Sequence, residues 1–285
     1  MIQSMTGYGK AVTQLPQKKV TVEIKTLNSK NLDLNVRVPS TYREKELEVR
    51  SKLSKQLQRG KVDFYIFIEV TGDETTTVIN KEVVNNYIDQ LRNIAETSPE
   101  NTLEIAMRLP DALKTERQEF DKTEWLEIEK TIDLAVKEVK KFRADEGIVL
   151  ANDFNNRITN IQKLSKEVLV LDKERMILVR ERLEKSVNDL KQNVDENRFE
   201  QELIYYLEKL DITEEKVRLK NHLDYFLQEL SGNESNGKKL AFISQEIGRE
   251  INTMGSKSNF APMQKVVVQM KDELEKIKEQ LLNAL

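Results

Sequence analysis

The chain begins with strict alternation of apolar and polar positions and later changes to a helical repeat. Val20, Val22 and Ile24 alternate with Thr21, Glu23 and Lys25, and Leu32, Leu34, Val36 and Val38 alternate with Asp33, Asn35 and Arg37 until Pro39. Val62, Phe64, Ile66, Ile68 and Val70 alternate again after Arg59-Gly60-Lys61. A period of two buries one side of a segment and wets the other, which predicts half-buried strands. Between the last two runs, Thr41–Gln58 is rich in Glu, Lys, Arg and Leu and predicts a helix. Its expected core contacts are Leu47, Leu53 and Leu57, with Ser40 or Thr41 as N-cap and Gly60 as the stop. Three strands, a helix and a fourth strand make a small α/β sheet domain over residues 1–75.

From Lys81 onward the alternation disappears, and no proline stands between Pro110 and Pro262 to break a helix. Ile158, Ile161, Leu164, Val168 and Leu171 recur at spacings of three and four, and Leu183, Val187, Leu190 and Val194 continue the pattern. Such a stripe pairs with another helix. Residues 76–200 are therefore expected to form a helical linker and a long helical arm. In residues 201–285 the pattern predicts a C-terminal helical domain. One helix is expected over Glu200–Leu230, ending at the Ser231–Gly237 loop, and a second over Lys238–Asn252, broken by Gly255–Asn259. A third runs from Pro262, a favoured first-turn residue, to the end. The fold class is α+β.

Charged residues make up 33% and hydrophobic ones 38%, which fits a helix-rich chain with charge on its helix surfaces. The absence of cysteine excludes a disulfide scaffold, a zinc–cysteine site and a thiol nucleophile, and it agrees with a reducing cytoplasm. Met1–Lys10 lacks the apolar core of a signal peptide and no apolar run reaches membrane-spanning length, so a soluble cytoplasmic protein without a membrane partner is expected. The net charge of −3 does not point to nucleic acid, but its distribution is uneven. Residues 1–70 carry +6, residues 237–285 carry +2 and the stretch between carries −11. A basic front and a mildly basic C-terminal segment can focus a polyanion on one surface, although such asymmetry is also ordinary.

Two helical faces hold the candidate chemistry. Glu215, Arg218 and His222, the only histidine, share one face at i, i+3 and i+7. They can present an acid–base group and a cation to a phosphodiester, or be a surface ion pair beside a bonded histidine. Glu246, Arg249, Glu250 and Thr253 make a second face. Two carboxylates one turn apart can hold Mg²⁺ or Mn²⁺ and an arginine can grip phosphate, yet the same spacing decorates many solvated helices. Next to them stand Asn252 and Gly255-Ser256-Lys257-Ser258, whose exposed amides, hydroxyls and ammonium could bond phosphate oxygens, or which could be a turn between helices. Lys271 and Glu275, also one turn apart, are expected to be a supporting pair. With one histidine, a two-histidine acid–base mechanism is impossible within one subunit, which favours a metal.

Several segments together resemble the YicC/YloC family. Ser4–Gly9 (SMTGYG) is similar to its start, Arg59-Gly60-Lys61-Val62 to its RGK strand entry, and Arg143–Leu150 (RADEGIVL) to its central segment. Asp211–His222 (DITEEKVRLKNH), Gln245–Ser258 (QEIGREINTMGSKS) and Lys271–Asn283 resemble its C-terminal motifs, so the likeness covers both ends and part of the middle. The strand–strand–strand–helix–strand order is also similar to a ribosomal-S5-like arrangement. Where the family has an Asn-His-Arg-Tyr-Leu-Asp type segment, this chain has Asn28-Ser29-Lys30-Asn31-Leu32-Asp33, without the histidine and the aromatic. The resemblance implies divalent-metal-dependent endonucleolytic cleavage of RNA, single-stranded or structured, by a homo-oligomeric ring, expected as a hexamer. On this reading His222, Glu250 and Glu246 are catalytic, with Glu246 and Glu250 holding Mg²⁺ or Mn²⁺. Arg218, Arg249, Lys257, Ser256 and Asn252 bind RNA. The alternative is a non-catalytic RNA clamp or adaptor that delivers RNA to another nuclease, and a helical scaffold assembled through the 151–200 stripe is a further one.

Overall fold

A computed structural model describes residues 2–71, 77–95, 98–115, 121–189, 196–232 and 236–285. Strands β1 (Gly7–Gln14), β2 (Lys18–Leu27) and β3 (Leu32–Arg37) lead through a short 3₁₀ turn (Ser40–Lys45) into α1 (Glu46–Leu57) and β4 (Gly60–Val70). The sheet order is β1-β2-β4-β3, with β4 antiparallel to β2 and parallel to β3. Helix α1 supplies the crossover that parallel pairing needs. The alternating positions behave as expected: Val20, Val22, Ile24, Val62 and Phe64 are buried, and their neighbours face outward. Leu47 corrects the expected core, since it is 78% exposed and Val49 takes the place beside Leu53 and Leu57. The cap is corrected too, because α1 follows directly on the 3₁₀ turn and Lys45 precedes it without a side-chain cap. Gln58 (φ 52°) turns the chain before Gly60 (φ 113°) enters β4.

Beyond the sheet come β5 (Thr77–Ile79), α2 (Lys81–Ile94), α3 (Pro99–Arg108) and β6 (Leu113–Thr115). The β5–β6 pair was invisible in the alternation because each strand has only three residues. The long α4 (Lys122–Asp189) then runs through both halves. Its first turns place Trp125, Ile128, Ile132, Ala135, Val136 and Val139 under the sheet, against Val20, Val22, Phe64 and α1. Its middle carries Phe154, Ile158, Ile161 and Val168 into a second core. The predicted stripe is thus consumed within the chain: α4 packs on α8 (Ala261–Leu281) and α6 (Thr213–Leu230), with α7 (Gly237–Lys257) completing the bundle. Leu190 and Val194 lie outside the described residues, as do the side chain of Val187 and part of the Ser231–Gly237 loop.

Two C-terminal helices differ from expectation. The Glu200–Leu230 segment is broken into α5 (Glu196–Leu210) and α6. Asp211 Oδ1 accepts hydrogen bonds from the Thr213 amide at 3.1 Å and hydroxyl at 2.7 Å, which starts a new helix. In contrast, α7 runs through Gly255 and Ser256 to Lys257. Gly255 stays helical because α8 covers it; a Cβ there would sit 3.1 Å from Val267 Cγ1.

The halves are joined at the chain ends. Met5 N–H donates to Asn283 O, Leu285 N–H to Gln3 O and Ser4 N–H to Arg143 O. Gly147 lies under this crossing, where a Cβ would come within 2.1 Å of Ile2 O. The SMTGYG, RGK and RADEG segments, far apart in sequence, meet here around Arg143.

Candidate active site

Helices α6 and α7 form an antiparallel hairpin tied at both ends. Lys239 pairs with Glu229 at 2.7 Å near the turn, and Lys257 pairs with Glu215 at 2.6 Å at the far end. His222 stands seven residues from Glu215, and Glu250 seven from Lys257. Each interval is about 10 Å along its helix, so the two groups occupy the same level of the hairpin. Their surroundings differ. Glu250 is 4% exposed and makes no ion pair or hydrogen bond among the described residues. His222 is half-buried and likewise without a polar partner among them. Glu246 is half-buried and holds exposed Arg249 at 3.2 Å.

The pairings on α6 correct the sequence reading. Arg218 pairs with Glu214, one turn before it, and leaves Glu215 to Lys257. Glu215 Oε2 is buried without a hydrogen-bond partner, as is Ser258 Oγ. Lys257 also donates to Asp211 O at 2.8 Å, so its ammonium ties α7 to the α5–α6 turn and is not presented free to solvent. The expectation of exposed amides at Gly255–Ser258 does not hold. These residues end a helix, where the unpaired groups are carbonyls and the dipole favours cations. The carbonyls are indeed met by donors: Arg175 on Lys257 O at 2.8 Å, and Gln264 on Gly255 O and Ser258 O, both at 2.6 Å. Ser256 Oγ is turned back onto Thr253 O. Asn252 and Ser256 are exposed on the outside of α7. Lys271 and Glu275 are not a pair, because Glu275 holds Lys278 at 2.7 Å.

Sequence reasoning missed the support behind this hairpin. Arg175 on α4 is 1% exposed and grips Asp172 Oδ1 at 2.7 and 3.1 Å, together with Lys257 O and Leu210 O. Lys216 Nζ closes the cluster on Asp172 Oδ2 at 2.9 Å. The signal was present: Asp172 and Arg175 continue the spacing of Ile161, Leu164 and Val168, so they are polar residues at core positions of a stripe.

A divalent cation can be tested against the donors. No group of three His, Cys, Asp or Glu side chains suited to a metal occurs among the described residues. The available set is the Glu246–Glu250 pair, in which Glu246 is held by Arg249 and Glu250 has no partner among the described residues. This does not fit an all-protein cage. It fits a Mg²⁺-like ion, which keeps waters and is commonly held by one or two carboxylates plus substrate phosphates.

Two family models account for most of the chain. Residues 2–152 match the N-terminal region of the YicC-like endoribonucleases, and residues 168–284 match their C-terminal region. The chain belongs to the YicC-like family. A protein of Clostridioides difficile (strain 630) bearing the name "Probable endoribonuclease YicC" is 32% identical over 295 residues, covering 99% of each chain. One of the same name from Haemophilus influenzae is 28% identical over 286 residues, again covering 99% of each. The YicC-like boundary falls within α4, the helix shared by both cores. No helix among the described residues is long and apolar enough to cross a membrane.

Proposed function

We propose that the protein is a cytoplasmic endoribonuclease acting in RNA turnover, cleaving single-stranded or structured RNA at the α6–α7 hairpin with a divalent metal. The observation that carries the assignment of the site is Glu250, a 4% exposed residue whose carboxylate has no partner among the described residues, at the level of the only histidine. In this reading Glu246 and Glu250 hold Mg²⁺ or Mn²⁺, which when bound stabilises negative charge on the phosphate under attack. His222 transfers a proton to or from a reacting oxygen, and a carboxylate or the His222 of another subunit completes the acid–base pair. Exposed Arg218 and Arg249 grip the RNA backbone, with Asn252 and Ser256 adding hydrogen bonds. Lys257 contributes by fixing Glu215 and the end of α7. The names of the two relatives support the RNA substrate and the activity.

Assembly as a homo-oligomer, a hexameric ring, is part of the proposal. It is supported by the outer face of the sheet, where Tyr8, Val12, Leu27 and Phe67 are exposed. A second reading, a non-catalytic RNA clamp, uses the same exposed Arg218 and Arg249 to hold phosphates. The two separate in one experiment: labelled structured RNA incubated with protein from a nuclease-deficient host. The enzyme reading predicts cutting with Mg²⁺ or Mn²⁺ and none in EDTA. Tight, salt-sensitive binding without cutting under any metal leaves the clamp.

A further inference from the structure

The cavity at the junction of the two halves, about 820 Å³, is walled by cations. Arg59, Lys140, Arg143, Lys238 and Lys239 line it, and among the described residues no Asp or Glu side chain does. Of these, Lys239 is ion-paired with Glu229 and Lys140 donates to Gln56 Oε1, and Leu285 stands on the wall among the described residues. Arg143 is the unusual member. It is 2% exposed, and its guanidinium meets Met5 O, Leu57 O, Arg59 O and Thr26 Oγ1 at 3.2–3.3 Å, with no carboxylate. Burial pushes its pKa down to about 10, so it remains charged at neutral pH. A buried charge with oxygen dipoles but no counter-ion favours an anion nearby. The 21-residue α7 also starts at this cavity, where its first amide, Gly237 N–H, already donates to Leu285 O at 2.7 Å.

We propose that this cavity binds the phosphate monoester of a nucleotide and, deepening the endoribonuclease reading, that it holds the phosphorylated end of an RNA strand. A monoester carries nearly two negative charges, which suits several cations better than a single diester does. The volume accommodates one nucleotide, and Gln58 on the wall offers an amide to a base or ribose. The site is separate from the candidate cleavage site: Lys238 and Glu250 are twelve residues apart on α7, about 18 Å along the helix.

The test uses the full-length protein in EDTA, so that binding is read without cutting. Fluorescence anisotropy compares one short oligoribonucleotide bearing a 5′-phosphate, a 3′-phosphate or hydroxyl ends, with a nucleoside monophosphate as competitor. One phosphorylated end is expected to bind about tenfold more tightly than the hydroxyl-ended strand, equivalent to about 1.4 kcal/mol. The monophosphate is expected to remove that advantage. Lys140→Gln/Lys238→Gln, which touches surface side chains and spares buried Arg143, is expected to abolish the preference while hydroxyl-ended RNA binds as before. Equal binding of all three strands with no monophosphate binding overturns the proposal, as does a preference that survives the double substitution. Monophosphate binding without an end preference assigns the cavity to a free nucleotide and rejects the RNA-end assignment. A protein that never cuts RNA but discriminates ends upholds this inference and rejects only the cleavage reading.

Discussion

Glu250→Gln is expected to lower RNA cleavage by about a thousandfold while leaving the fold and RNA binding close to wild type. The substitution preserves shape and removes one charge. Glu250 has no ion-pair or hydrogen-bond partner among the described residues, so no bridge is broken by the change. Thermal stability should therefore stay close to wild type. Activity should fall because the amide is a poor ligand for a hard cation and cannot accept a proton; groups in such roles contribute on the order of 10²–10⁴-fold. Single-turnover cleavage, circular dichroism and anisotropy on one preparation separate these effects. Full activity in Glu250→Gln would remove the metal assignment.

The largest effect on stability is expected from Arg175→Leu. The guanidinium, on a residue 1% exposed, makes two buried contacts to Asp172 and one part-buried contact each to Lys257 O and Leu210 O. Leucine would leave Asp172 with Lys216 alone and two carbonyls without their donor. Breaking a buried pair from one side costs about 3–5 kcal/mol, which for a chain of this size lowers Tm by roughly 10 °C. Removing Asp172 as well, in Asp172→Leu/Arg175→Leu, should restore part of the loss. Thermal unfolding of the three proteins checks the cycle, and a loss under about 1 kcal/mol would show that the cluster does not anchor the hairpin.

The parts of the fold that were legible are those in which burial has a short period. Strands β2 and β4 declare themselves because each alternate residue goes to one side, and α8 because Pro262 marks its first turn. Leu47 is apolar but out of phase with the buried face of α1. Val49, Leu53 and Leu57 are four residues apart on one face, and Leu47, two positions from Val49, is turned by about 200° from it. The α5–α6 break depends on which way Asp211 turns its side chain, and Gly255 is kept helical by a neighbour in α8. Neither cause lies within the local sequence.

The same distinction applies to the candidate site. The spacing of Glu246 and Glu250, and of Arg218 and His222, could be read along single helices. That Glu250 is buried and Glu246 is not follows from how α7 packs. The Glu215–Lys257 pair joins residues 42 positions apart, so the sequence offered Glu215 to Arg218 when the fold gives it to Lys257. Arg143 could be recognised as part of a motif, but its carbonyl cage is assembled from Met5, Leu57 and Arg59, which only the folded chain brings together.

The proposed cleavage site at His222 and Glu250 on the α6–α7 hairpin can be tested in one assay. Its most direct test is cleavage of an end-labelled structured RNA by wild type and His222→Ala, with Mg²⁺ or Mn²⁺ and then with EDTA. Wild type is expected to cut in a metal-dependent manner, and the variant to lose about a hundredfold or more of that activity with unchanged RNA retention. Equal cutting by both proteins would contradict it.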